Sequence, residues 1–186
     1  MKCRTMTLRG YWDQEAGKAP DLHRVLAYES PDRTRAWKLK GAWVWPRHPF
    51  TSGAPTPQRG WGEGSLMGWS ALWTDFADPN VNYPLDMGEN RQLAWGEHCY
   101  NAGDSTITGD WLAPQQGGIM QNELLHDEDR IITNDLFVSC QYYFNSTMDN
   151  PTVIQWNYYI VLEEIQISPV EGILQQLKGI GQNIDS

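Results

Sequence analysis

Two segments near the end of the chain constrain its fold most: residues 130–144 (RIITNDLFVSCQYYF) and 152–167 (TVIQWNYYIVLEEIQI). Both are dominated by β-branched and aromatic residues, which suit a pleated, half-buried surface. Both are longer than a usual strand, so each is expected to bend or to carry a bulge. Asn145 to Pro151 lies between them and has the Asn, Asp and Pro content of a chain reversal. The expected arrangement is therefore an antiparallel hairpin in a sheet that spans the domain.

Ser168-Pro169-Val170-Glu171 follows at once and reads as a capping box, with Pro169 at the first helical position, where an amide would be unpaired anyway. Ile173, Leu174, Leu177 and Ile180 then form one apolar stripe, and Gly179 and Gly181 offer places to stop. A short amphipathic helix of this kind must dock on its own sandwich or on a neighbouring copy.

Upstream, Leu22 to Glu29 reads as a first strand, stopped by the turn triplet Ser30-Pro31-Asp32. In Ala36 to Trp45, the residues Trp37, Leu39, Trp43 and Trp45 share parity, which puts them on one face with Lys38 and Lys40 on the other. Prolines 46, 49, 55 and 57 make Pro46 to Gly64 an exposed loop. Ser65 to Phe76 fits either a strand or a short helix, whereas Arg91 to Tyr100 reads as a strand. A turn-dense connection from Asn101 to Gly118 comes next, with Ile107 and Trp111 as its anchors. A length of 186 residues argues for one core. The predicted organisation is an N-terminal segment over 1–21, a β-sandwich over 22–167 and a C-terminal helix over 168–182.

No run of about 18 apolar residues occurs, which excludes a membrane-spanning helix. The first ten residues hold no apolar block of secretory type. Cys3, Cys99 and Cys140 are odd in number and lack CxxC spacing, so reduced thiols in a cytoplasmic setting are expected. The net charge of -9 is unevenly spread: Met1 to Gly60 holds 11 of the 14 Lys and Arg against 5 acidic residues. That basic third could meet a polyanion or be neutralised by acidic strands from the rest of the chain.

Signatures of catalysis are missing. There is no nucleophile elbow, phosphate-binding glycine loop or HExxH, and Glu163 and Glu164, adjacent on a strand, face apart. The chain is therefore expected not to be an enzyme and to carry no cofactor. His98 or Cys99 could join Cys140 around a soft metal if their strands were neighbours, but buried thiols are the simpler reading. His126-Asp127-Glu128-Asp129 gathers oxygen ligands without EF-hand spacing and reads as a solvated turn. Ten tryptophans point to core and subunit contacts, or to rings that stack on sugars or unpaired bases.

Taken together, Glu89-Asn90-Arg91-Gln92-Leu93-Ala94-Trp95, Asp129-Arg130-Ile131-Ile132, Asn134-Asp135-Leu136 and Asn157 to Glu164 form a familiar succession. With Ser168 to Glu171 and Gln175 to Gln182 it resembles the capsid proteins of small environmental single-stranded DNA viruses. The resemblance covers residues 89 to 182, with a weaker echo in Ala36 to Pro46. It implies a single jelly roll, two antiparallel sheets of four strands, that self-assembles into an icosahedral shell around a small genome. The virion would be its location, assembled in the host cytoplasm or nucleus, with other subunits and single-stranded DNA as partners and no membrane. The chain departs from that family in lacking a long Arg/Lys-rich N-terminal arm. Genome contact would then fall to Arg4, Arg9, Arg33, Arg35, Lys38 and Lys40, and subunit contact to Trp61, Trp111, Ile173, Leu174 and Leu177. The alternative from a different class is a Trp-rich β-sandwich carbohydrate-binding module.

Overall fold

In the computed structural model, the described residues are 4–15, 22–29, 34–46, 64–74, 91–102, 123–146 and 153–181. They form nine strands: β1 (Thr5–Glu15), β2 (His23–Leu26), β3 (Arg35–Pro46), β4 (Gly64–Thr74), β5 (Gln92–Ala102), β6 (Leu125–His126), β7 (Ile131–Ile132), β8 (Leu136–Ser146) and β9 (Val153–Gln166). Helix α1 (Pro169–Gly181) follows. One sheet has the order β1-β9-β3-β7 and the other β2-β8-β4-β5-β6, with every pair antiparallel. The pairings are nested: β1 with β9, β2 with β8, β3 with β7, and β4 with β5. Successive levels of the nest alternate between the sheets, and that is a jelly roll. The fold is an all-β sandwich with a short C-terminal helix.

Several expectations need correction. The two long late segments are not a hairpin, because β8 pairs with β2 and β4 while β9 pairs with β1 and β3 in the opposite sheet. The first of those segments is itself divided. Ile131 and Ile132 pair with Lys38 and Trp37 of β3, and after Thr133-Asn134-Asp135 the chain enters the other sheet as β8. The sandwich begins at Thr5 rather than at residue 22, since β1 runs beside β9 from Thr5↔Glu163 to Glu15↔Val153. One sheet has five strands instead of four, because β6 adds to the edge of β5. Residues 65–74 resolve as strand, part of the central β4.

The core lies between the sheets. Along β9 the even residues Trp156, Ile160 and Leu162 point inward, and they meet Leu39, Ala42 and Val44 of β3, Leu72 of β4, and Leu136, Val138 and Cys140 of β8. Each large side chain fully buried in this way stabilises the fold by about 1.5–3 kcal/mol relative to exposure. The layers are tied together at both sides. At one, Trp12 of β1 stacks on His23 of β2 with ring centroids 6.0 Å apart. At the other, the Leu124 amide donates to the Ala42 carbonyl while the next two residues pair with β5. The Leu124 side chain lies where a Cβ on Gly96 would stand, so Gly96 keeps that crossing open.

A bulge in β3 corrects the expected parity. Leu39 pairs with Leu162 but Gly41 pairs with Val161, which leaves Lys40 as the extra residue. Beyond it the faces exchange: Ala42 and Val44 enter the core, and Trp43 and Trp45 fall on the outer face rather than beside Leu39. Deleting Lys40 would restore simple alternation with Ala42 and Val44 still inward, because the partners of Leu39 and Gly41 on β9 are already consecutive. We expect the deletion to keep cooperative urea unfolding monitored by circular dichroism, as Lys40→Ala does within about 1 kcal/mol of the parent, whereas Ala42→Asp, at a core position, abolishes it.

Candidate subunit and nucleic-acid interfaces

Strand alternation divides the basic residues into two groups. Arg35 donates to Glu164 at 3.0 Å and Arg4 approaches the same carboxylate at 3.9 Å. On the opposite face, Lys40 lies 3.7 Å from Glu163, and Lys38 is the direct strand partner of that glutamate. Glu163 and Glu164 thus face apart, as their adjacency requires. Arg24 makes a further pair with Asp135 at 3.3 Å, and Asp135 also accepts the Tyr28 amide. Acidic residues from the later part of the chain therefore pair with four of the six described basic residues of the first third. The arginine and lysine members of these pairs are mostly exposed, which keeps each contribution to roughly 0.2–1 kcal/mol. Arg9 and Lys38 have no ion-pair partner among the described residues. Arg33 lies outside the described residues.

The helix is capped as its sequence requires, with the Glu171 amide donating to Ser168 Oγ at 3.2 Å. Its apolar stripe is left open. Val170 is 66% exposed, Ile173 41%, Leu174 54% and Leu177 54%, so the helix does not bury this side against its own sandwich. The structure thus places Ile173, Leu174 and Leu177 together on an accessible surface. Trp61 and Trp111 lie outside the described residues. The eight described tryptophans are buried or half-buried, with Trp12, Trp69, Trp73 and Trp156 in the buried class.

The two outer faces differ. On the sheet that contains β4, Trp69, Ala71 and Trp73 form a second buried cluster with Leu22 and Phe137. Their indoles are satisfied within the sheet, Trp73 by Ser139 Oγ at 2.7 Å and Trp69 by Gln141 Oε1 at 3.2 Å. The outer face of the β9 sheet is open, with Tyr11 56% and Tyr159 39% exposed. These partly exposed rings were not singled out from sequence; the signal for Tyr159 was its odd position in β9, opposite in parity to the core residues Ile160 and Leu162.

The soft-metal geometry weighed for His98, Cys99 and Cys140 does not form, because β4 stands between β5 and β8. Cys140 is a buried free thiol. Asp127 is occupied by its own turn, accepting the Asp129 amide at 2.9 Å and lying 4.0 Å from Arg130. No group of three His, Cys, Asp or Glu that could hold a metal occurs among the described residues.

No protein-family model matches the chain, and no curated protein sequence does so either. Among solved structures it is similar to the structure of Turnip Yellow Mosaic Virus at 100 K, with 11% identity, 89% of this chain and 96% of that chain covered, and a TM-score of 0.29. A superposition at that level decides neither topology nor role.

One ionisable group closes the sandwich edge. His23 stacks on Trp12 and lies 5.9 Å from the Tyr158 ring, and burial lowers its pKa from the usual 6.5. The unfolded chain therefore takes up this proton first as pH falls. Stability is full above about 6.5 and is lost below it, down to the folded-state pKa. We expect thermal unfolding followed from about pH 7 to about pH 5 to show a smaller loss in His23→Phe, which keeps the stack and removes the titration.

Proposed function

We propose that this chain is a structural virion protein, a jelly-roll subunit that self-assembles into an icosahedral shell around a small single-stranded DNA genome. Its role in this reading is architectural rather than catalytic. The observation that carries it is the open stripe of Val170, Ile173, Leu174 and Leu177 on a well-capped helix attached to a complete sandwich. A monomer gains nothing from holding four large apolar side chains in water, whereas a symmetric assembly buries them against neighbouring copies. The nested topology supports the reading, since its two sheets enclose one buried core and leave the helix stripe outside it. So does the sequence resemblance over residues 89 to 182. Genome contact belongs to the basic first third, in particular Arg9 and Lys38, which have no ion-pair partner among the described residues.

The carbohydrate-binding alternative rests on loop tryptophans such as Trp61 and Trp111, which lie outside the described residues.

Size-exclusion chromatography and electron microscopy of the purified chain test the proposal. We expect closed particles, and we expect Leu174→Asp combined with Leu177→Asp to release folded subunits with an unchanged circular-dichroism spectrum. A wild-type chain that stays a 21.3 kDa monomer at high concentration would overturn the reading.

A further inference from the structure

The open outer face of the β9 sheet has an order that the strand registers fix. Arg9, Tyr159 and Trp43 lie in one row across β1, β9 and β3. The next row in one direction is Tyr11, Asn157 and Trp45, and in the other it is Thr7, Val161 and Gly41. Beyond that row come Thr5, Glu163 and Lys38, with the bulged Lys40 beside them. Rows on one face of a sheet are about 6.8 Å apart and neighbouring strands about 4.8 Å.

Two features give this face the form of a stacking platform. The Trp43 indole lies across Gly41, where a Cβ would collide with it, so the ring is laid along the sheet rather than standing off it. Tyr159 is beside it, with ring centroids 5.6 Å apart at 57°, and 39% of the residue is open to solvent. Cations flank the rings. Arg9 adjoins Tyr159 on one side, and Lys38 and Lys40 stand two rows away. From the Arg9 row to the Lys38 row, the three cations face one carboxylate on these three strands, Glu163. Glu123 ends the Arg9, Tyr159 and Trp43 row as the bridge partner of Trp43, and Asp13 lies two rows from Arg9 on the side away from Lys38.

We infer that this face binds unpaired nucleic acid, with bases stacked on Tyr159 and Trp43 and phosphates held by Arg9 and Lys38. The inference rests on the enclosed-genome reading for its biological sense and deepens it by naming the surface. Aromatic rings accept any base, and flanking cations that outnumber the single carboxylate among them, Glu163, hold a backbone that a neutral sugar chain does not have. A single strand is favoured over a duplex because paired bases present no free faces to stack.

The test is titration of the purified wild-type chain with a short oligothymidylate, followed by tryptophan fluorescence and repeated at several salt concentrations. We expect quenching, weaker binding of a duplex of equal length, and a log–log salt slope of about −1.4 to −2 for two or three phosphate contacts. Tyr159→Ser should weaken binding about tenfold. Arg9→Gln, at an exposed position on the edge strand β1, should weaken it and flatten the slope. Glu163→Gln should strengthen it by removing the one carboxylate among those cations. Wild-type affinity in both Tyr159→Ser and Arg9→Gln would overturn the inference. Quenching by a glucan oligosaccharide but not by the oligonucleotide would do the same, as would loss of self-association in these two variants, which would make the face a subunit contact. The two proposals fail separately: absence of particles sinks the shell while the titration still reads the platform, and normal particles with unaltered oligonucleotide binding in both variants sink the platform alone.

Discussion

The placement of β9 between β1 and β3 is the constraint on which the rest of the structure depends. Its register with β1 runs unbroken from Glu163 to Val153, and its register with β3 shifts only at Lys40. Because side chains alternate, that register sends Trp156, Ile160 and Leu162 into the core and sets Asn157, Tyr159, Val161 and Glu163 outside. A slip of one residue would exchange the two sets, exposing the largest buried side chains of the sheet. Core and outer surface are consequences of the same hydrogen-bond ladder and cannot be altered independently.

Much of the architecture was legible locally. The capping box at Ser168, the strand character of residues 36–45 and 91–100, and the length of 153–166 each follow from short-range chemistry, and the structure agrees with them. What escaped was partner choice. A run such as Leu136 to Ser146 shows that it is a strand but not which sheet it joins, and short connections favour a hairpin that the nested topology overrides. The division between Ile132 and Leu136 did have a signal, Asn134-Asp135 inside an apolar run. β1 was harder to see because its inward series of Met6, Leu8 and Trp12 is interrupted by Gly10, whose missing side chain makes room for the Tyr158 ring.

The candidate surfaces were partly legible for the same reason. The helix stripe is a matter of spacing, and it stands where Ile173, Leu174 and Leu177 put it. The basic third looked like one cluster in sequence, but alternation sends Arg4 and Arg35 to Glu164 on one side of the sheet and Arg9, Lys38 and Lys40 to the other. Residue counts cannot make that division. Nor could they separate the two outer faces, one sealed over Trp69 and Trp73, the other open at Tyr11 and Tyr159.

The energetics of the helix stripe bear on what sort of assembly it can support. Four side chains about half exposed retain roughly 3–6 kcal/mol of unrealised burial in total. Bringing two subunits together costs about 4–15 kcal/mol in lost translational and rotational freedom alone. A single stripe contact is therefore marginal, and an isolated pair held by it would dissociate readily. In a closed symmetric shell every subunit touches several neighbours, and the later contacts are made by partners already held in place. Individually weak contacts then yield an assembly that forms cooperatively and whose subunits remain soluble before closure. An exposed stripe of modest area on an otherwise complete sandwich is consistent with that regime, and poorly suited to a permanent dimer, which would need a larger apolar interface.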